Sequence, residues 1–248
     1  MQTSAARMFK NLAKSTLPPS LMQVVRRVQR YLYGYGWRKP PRLPPLPAGA
    51  SAELALAHRA WELAASSPAN QAGLCYYSLD FAGFPLPGER PWEARWQHLQ
   101  ATLPWRGARV LELGCNLGLL STYALLAGAE AACGVDGDAL LVESNRLVQQ
   151  AFRVSYRTLH CNFDDARPWE DELAAFRPTV VTALSLLHWV EMKERFLRFL
   201  GRFDTVLYEG HDSDASERRR LEQAGFPDVT MVGRSEVNRA VFVARKRV

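Results

Sequence analysis

The chain has 248 residues, 48% of them hydrophobic, and a formal net charge of +6. This length allows one large domain or a domain with an arm, and the apolar share is ample for a packed core. Apolar runs stay shorter than the about 18 residues of a membrane-spanning helix, and the N-terminus lacks the pattern of a signal peptide. The four cysteines form no C-x-x-C pair, so we expect buried thiols in a reducing compartment and no metal.

The positive charge is concentrated at the N-terminus. Residues 1–42 contain nine of the 31 basic residues and none of the 25 acidic ones, so the remaining chain carries a net charge of −3. A slightly acidic body is a poor clamp for nucleic acid, which is therefore a disfavoured partner.

Residues 18–37 predict a basic amphipathic helix with an aromatic end. Apolar residues at helical spacing interleave with arginines over this stretch, a pattern that suits an anionic membrane surface. Docking of the helix on the body and contact with RNA are the alternatives. The proline-rich residues 40–47 predict a semi-rigid spacer.

The next segment predicts helices around an aromatic stretch. A helix is expected over 51–66 with Ser51 as its N-cap, and another begins at Pro91, since proline is favoured in the first helical turn. Between them, residues 75–90 are aromatic and rich in turn residues. We predict that residues 49–104 form a helical cap.

From residue 105 onward, short apolar runs alternate with amphipathic ones, which indicates a parallel sheet with right-handed crossovers. Two further runs with a short polar connection predict an antiparallel hairpin at the C-terminus. The predicted strands are 109–113, 132–136, 158–161, 179–184, 204–208, 229–232 and 239–244. The predicted helices are 119–127, 139–150, 170–176, 191–200 and 216–224.

A glycine turn lies at the junction of the first strand and helix of this core. Glu112, Gly114 and Gly118 form an E-x-G-x-x-x-G pattern, and Gly134-Val135-Asp136 follows at the end of the second strand. Asn116 stands where a dinucleotide-binding fingerprint needs glycine, and a Walker-type phosphate loop is missing. The pattern resembles the S-adenosylmethionine (SAM) site of class I methyltransferases, over roughly residues 105–248.

The resemblance implies a doubly wound α/β fold with a seven-stranded, mostly parallel sheet and SAM as cofactor. It places the glycine turn under the methionine part of SAM and the Asp136 carboxylate on the ribose hydroxyls; capping of the next helix is the alternative for Asp136. Asn162, Phe163 and Asp164 are implied to bind adenine, unless they form a plain turn. The implied cofactor-binding set is Glu112, Gly114, Cys115, Asn116, Gly118, Asp136, Gly137, Asn162, Phe163, Asp164 and Ser185. Arg90 and Arg95 are candidates for the SAM carboxylate or exposed residues of a packed cap.

Three residues at strand ends are candidates for catalysis. His188 follows the fourth strand, where acceptor and methyl group meet in this fold, and histidine accepts a proton near neutral pH. Glu209 and His211 end the fifth strand and form a second cluster that orients a base or holds an acceptor hydroxyl. Packing roles for the histidines, or capping of the helix near Ser216, are the alternatives.

Together these features predict a basic arm (1–48), a helical cap (49–104) and a SAM-binding core (105–248). The predicted function is SAM-dependent O-methylation of a saccharide or lipid-linked glycan in polysaccharide biosynthesis. The predicted location is cytoplasmic, peripheral at the inner face of the membrane through residues 18–37. The alternatives are a tRNA methyltransferase and a non-catalytic SAM-binding scaffold.

Overall fold

The computed structural model describes residues 42–70 and 74–246. The basic helix predicted over residues 18–37 lies outside the described residues. Within them, none of the helices is long and apolar enough to cross a bilayer.

A seven-stranded sheet forms the centre of the fold. Its strands are β4 (Arg109–Leu113), β5 (Ala131–Asp136), β6 (Arg157–His160), β7 (Val180–Leu184), β8 (Thr205–Glu209), β9 (Asp228–Arg234) and β10 (Ala240–Arg245). Their spatial order is β6-β5-β4-β7-β8-β10-β9, and the pairs are parallel except for the two made by β10. The predicted α/β fold with a mostly parallel sheet and a C-terminal antiparallel hairpin is confirmed.

Helices follow the strands as the alternation predicts. The described residues form α1 (Ala52–Ala65), α2 (Trp92–Gln100), α3 (Leu119–Leu126), α4 (Ala139–Ala151), α5 (Glu170–Ala174), α6 (Lys193–Leu200) and α7 (Asp214–Gln223). Ser51 is the N-cap of α1 and accepts the N–H of Leu54, as predicted. The helix predicted from residue 191 begins at Lys193, since the backbone of Met192 is not helical. The Asp164 carboxylate accepts the N–H groups of Glu191 and Met192 just before the helix.

Each face of the large sheet buries its own hydrophobic cluster. Along β4, Val110 belongs to one cluster and its neighbours Leu111 and Leu113 to the other. Leu207 on β8 and Val243 on β10 share the cluster of Val110. This alternation is the two-residue period of a strand covered on both faces.

The aromatic stretch that was expected to be rich in turns is a second, three-stranded sheet. It consists of β1 (Cys75–Phe81), β2 (Phe84–Leu86) and β3 (Gly88–Pro91) in the order β2-β1-β3. Cys75, Tyr77 and Leu79 alternate along β1 and are buried. Ala82 and Gly83, both with positive φ, make the two-residue turn to β2. The alternation of apolar residues along β1 is typical of a strand, but the many turn residues around it favoured an irregular segment in the sequence analysis.

The N-terminal elements pack on the same core as the large sheet. Helix α1 lies against α4, and the indole N–H of Trp61 donates to the carbonyl of Tyr77 at 3.0 Å. Trp61 and Trp92 belong to the same buried cluster as Leu120 of α3. The hydrophobic core is therefore continuous across residue 104, where the sequence suggested a boundary.

Candidate functional site

The glycine turn leaves the carboxyl end of β4 at the point where the strand order of the sheet reverses. Strands β5 and β6 extend from β4 in one direction, whereas β7 and β8 extend in the other. In open α/β sheets ligands bind at such a switch point, outside the carboxyl ends of the strands. The N–H groups of Gly114 and Cys115 both donate to the carbonyl of Val135, at 2.8 and 2.9 Å, and so fix the turn to β5.

Both glycines of the turn are favoured by their backbone angle, and Gly118 is also required by space, whereas Gly114 faces the flexible end of a leucine side chain. Each has a φ of 68°, and a Cβ on Gly114 would lie 2.8 Å from a methyl carbon of Leu186. A Cβ on Gly118 would lie 2.0 Å from the amide nitrogen of Asn145. Asn116 also has a positive φ, which asparagine tolerates better than most residues.

Asp136 lies beside the turn at the end of β5. One of its carboxylate oxygens accepts the N–H of Asn116 at 2.8 Å and the other that of Asp138 at 3.0 Å. Burial raises the pKa of Asp136 to about 6. The N-cap of α4 is Asp138, so the side chain of Asp136 does not have that role. Gly137 follows, and a Cβ there would make an ordinary van der Waals contact, 3.7 Å from the Cα of Asn162.

Glu112 and Cys115 support the turn from within. The carboxylate of Glu112 accepts the N–H and the hydroxyl of Ser121, at 2.9 and 2.7 Å, and thereby fixes the first turn of α3. Burial raises the pKa of Glu112 to about 8. Cys115 is fully buried, and its sulfur accepts the amide N–H of Asn145 at 3.4 Å. The side chains of Glu112 and Cys115 are buried in the core, so Cys115 contributes only backbone atoms to the surface of the turn.

The three residues implied for adenine occupy different environments after β6. Phe163 is buried, with its ring edge-on to Trp169 at 5.1 Å. Asp164 is bound to the backbone that precedes α6. Asn162 is exposed, and its side-chain oxygen accepts the N–H of Asp164 at 3.1 Å. Of the three, Asn162 therefore has the side chain most accessible to a ligand.

The structure brings the two predicted histidines together. The rings of His188, after β7, and His211, after β8, stack with centroids 4.9 Å apart and planes inclined by 26°. His188 is exposed, whereas His211 is partly buried. Burial, and then the positive charge of Arg239, lower the pKa of His211 to about 3. The ring of His211 is consequently neutral throughout the physiological range.

Beneath the histidines, Glu209 joins the cap to the sheet. Its carboxylate accepts the hydroxyl of Ser185 at 2.6 Å and lies 3.2 Å from Arg90 and 2.7 Å from Arg95. Burial alone would raise the pKa of Glu209, but Arg95 and Arg90 outweigh it and lower that pKa to about 2. Ser185 itself has a φ of 58°. Glu209 is thus buried and ionised, and it connects the residue after β7, strand β3 and helix α2 through these three contacts.

Arg90 and Arg95 are the largest departure from the sequence-based interpretation. Both are buried, and both also pair with Glu236 in the loop between β9 and β10. Arg90 also donates to the hydroxyl of Tyr76. Sequence reasoning missed Glu236 and Arg239, because a polar hairpin connection carries no local signal of its distant partners. Glu236 pairs with arginines more than 100 residues away, and Arg239 contacts Ser185 and Glu209.

The strand order, the switch-point turn and the acid at the end of β5 are those of the class I SAM-dependent methyltransferase fold. Comparison with solved structures supports this assignment, whereas no protein-family profile and no curated protein matches the sequence. Among the described residues, none of the His, Cys, Asp and Glu side chains cluster in a way that would hold a metal.

The similarity to solved structures is clear in fold and low in sequence. The N-terminal domain of EvdMO1 with S-adenosylhomocysteine (SAH) bound is 18% identical, covering 82% of this chain and 100% of that one, with a TM-score of 0.57. A protein from Streptococcus mutans, named as a proposed SAM-dependent methyltransferase, is 12% identical. The match covers 66% of this chain and 52% of that one, with a TM-score of 0.50. A SAM-dependent methyltransferase from Mesorhizobium loti is 15% identical, and the match covers 62% of this chain and 98% of that one, with a TM-score of 0.49. The predicted resemblance is confirmed at the level of the fold.

Proposed function

We propose that the chain is a SAM-dependent methyltransferase that methylates an oxygen atom of a saccharide or lipid-linked glycan. The strongest support for this proposal is the glycine turn at the switch point, where Gly114 has a positive φ and the Asp136 carboxylate accepts the N–H of Asn116. The SAH bound to the similar domain of EvdMO1 supports the same ligand class here.

The residues at the turn fit SAM. The carboxylate of Asp136 accepts the backbone N–H groups of Asn116 and Asp138, and the N–H of Gly137 also stabilises its charge. Since an ionised carboxylate offers about four acceptor positions, acceptor capacity remains for a ribose hydroxyl. A further donor would also favour the ionised form of a carboxyl whose pKa burial has raised to about 6. Asn162 is exposed at the neighbouring strand end, where it is available to the adenine amino group.

SAM, when bound, supplies a methyl group that its sulfonium has already activated. The chain then has to orient the acceptor hydroxyl and remove one proton. We assign proton removal to His188, because its ring is exposed at the site. The neutral ring of His211 stacks beside it and does not repel the charge that His188 gains. Glu209, which is fully buried, has a positioning role through Ser185 and the two arginines.

Calorimetry with SAM and SAH tests the donor site, and methyl transfer from labelled SAM to a lipid and glycan extract tests the reaction. We expect His188→Ala to retain SAH affinity and to lose turnover by about 100-fold, the lower range for a general base. Asp136→Ala, in contrast, should lose SAH binding itself. Absence of binding of both SAM and SAH to the unsubstituted chain would overturn the proposal.

The cellular setting is part of the same proposal. The basic residues before position 43 support a cytoplasmic protein that contacts the inner membrane through residues 18–37. Sedimentation with anionic and with neutral vesicles tests this contact, which should require both anionic lipid and residues 1–42. RNA binding that decreases steeply with salt and requires the same residues would instead favour tRNA as the acceptor.

A further inference from the structure

Three arginines and two carboxylates converge at the acceptor edge of the site. Arg90 and Arg95 are each paired with both Glu209 and Glu236. Arg239 joins them 3.8 Å from the Glu209 carboxylate. The cluster therefore carries one positive charge more than its own acids neutralise.

Arg239 is the member of this cluster that solvent reaches. Its side chain is 32% exposed, compared with 4% for Arg90 and 2% for Arg95. Burial lowers the pKa of Arg239 against the opposing effects of Tyr76 and Glu209, and the charges of Arg90 and Arg95 lower it further. A guanidinium in this position would be stabilised by an additional anion, which it binds with short, charge-assisted hydrogen bonds.

Arg239 lies next to the place where methyl transfer would occur. Its Nη1 donates to the hydroxyl of Ser185 at 3.0 Å. The residue after Ser185 is Leu186, whose methyl group occupies the space above Gly114. The positive charge of Arg239 also acts on His211, the inner ring of the histidine pair. Arg239 thus contacts the end of β7, which leads through Leu186 to the donor turn, and its charge reaches the histidine pair.

We propose that Arg239 binds an anionic group of the acceptor, so that the acceptor is a carboxylate- or phosphate-bearing molecule such as an acidic or phosphorylated sugar. This assignment rests on the methyltransferase function proposed above and specifies its substrate class. The anion anchors the acceptor, while a separate hydroxyl of the same molecule points to the methyl group and His188. Trp189, which is exposed next to His188, offers an aromatic face for a sugar ring.

Ligand-observed NMR with the SAH-loaded full chain tests this assignment, using glucuronic acid, glucose 1-phosphate and neutral glucose as probes. We expect the two anionic sugars to bind at least about tenfold more tightly than glucose, as a charge-assisted contact implies. Arg239→Gln should abolish that preference while leaving the affinity for SAH within about twofold. The matched control is Arg245→Gln, since Arg245 lies at the other end of β10 in an exposed pair with Asp228.

The outcomes separate the two proposals. Failure of the unsubstituted chain to bind SAH would overturn the donor site and, with it, the acceptor assignment. Normal SAH binding without a preference for the anionic sugars would overturn the acceptor assignment alone. A loss of SAH affinity in Arg239→Gln would show that Arg239 serves the donor's own carboxylate, and it too would overturn the assignment. If Arg239→Gln still prefers the anionic sugars to glucose, the anion binds at another residue and the assignment to Arg239 is wrong.

Discussion

At the scale of single residues, the turn after β4 depends on a position that admits no side chain. Gly118 combines a left-handed backbone with the close approach of two polar groups, the Asn145 amide and the Tyr156 hydroxyl. The hydroxyl of Tyr156 donates to the carbonyl of Gly118 at 2.9 Å, so the same contact that excludes a Cβ also fixes the start of α3.

Gly118→Ala should destabilise the protein by about 2–4 kcal/mol, since overpacking is added to the strain of a positive φ. Its matched control is Gly83→Ala, where φ is +84° but nothing lies within 4 Å of the new Cβ. That substitution should lower stability by only about 1–2 kcal/mol. Urea unfolding of both variants measures the difference, and equal losses would contradict the role assigned to Asn145 and Tyr156.

Glu112 gives the protein a defined pH dependence of stability. Its pKa rises from 4.5 in the unfolded chain to about 8 in the fold, because burial disfavours the charged form. Between these two values the folded state binds more protons than the unfolded state. The free energy of unfolding therefore decreases as the pH rises through this window.

Glu112→Gln cannot lose a proton and should remove this contribution. Relative to the unsubstituted chain, the variant should become more stable with rising pH, by up to about 1.4 kcal/mol per pH unit between pH 5 and 8. Its amide oxygen still accepts the two donors of Ser121. Urea unfolding at a series of pH values checks this, and parallel stability profiles of the two proteins would show that Glu112 is ionised in the fold.

At the scale of elements, the network of buried charges joins the small sheet to the large one. Arg90 ends the small sheet on β3, Arg95 lies on α2, and Glu209 ends β8. Glu236 closes the network from the loop before β10. Such a network is favourable only when complete, because a buried charge that loses its partner retains its desolvation penalty.

Glu236→Gln should consequently destabilise the protein by about 2–4 kcal/mol, since two buried arginines would then share one carboxylate. The control is Glu130→Gln, which breaks an exposed pair with Arg109 and should change stability by at most about 1 kcal/mol. Thermal unfolding measures both effects. A change in Glu236→Gln no larger than in the control would mean that the loop before β10 does not hold the cap.

At the scale of the whole molecule, the cap and the sheet share one hydrophobic core. Trp61 and Trp92 are almost fully buried, and Trp92 lies edge-on to Tyr123 of α3 at 5.3 Å. Removing the cap would expose this face of the sheet, and burial of apolar surface is the main term that favours folding.

A fragment of residues 105–248 should therefore lack a cooperative thermal transition and should bind a dye specific for exposed hydrophobic surface. The matched control is the chain 42–248, which keeps the α1, β1–β3 and α2 elements and should unfold in one transition. Calorimetry and dye fluorescence compare the two. A cooperatively folded 105–248 fragment would support the domain boundary at residue 104 that the sequence suggested.

Local sequence patterns were enough to predict the large sheet, the succession of its strands and helices along the chain, and the position of the glycine turn. These features depend on patterns within about a dozen residues: apolar runs, caps, and glycines where the backbone must be left-handed. The position of Asp136 at the end of β5 could be predicted for the same reason, because an acid that follows a short apolar run is a local signal.

The surroundings of Glu209 and of the histidine pair, in contrast, became visible only in the folded chain. Arg90 and Arg95 carry no local sign of burial, since an arginine is buried only where carboxylates meet it, and Glu236 is 146 residues from Arg90. The stacking of His188 on His211 likewise depends on the adjacency of β7 and β8 in the sheet. Charge pairing between distant segments is fixed by the packing of the complete chain, whereas backbone preference and apolar periodicity are fixed by neighbours in sequence.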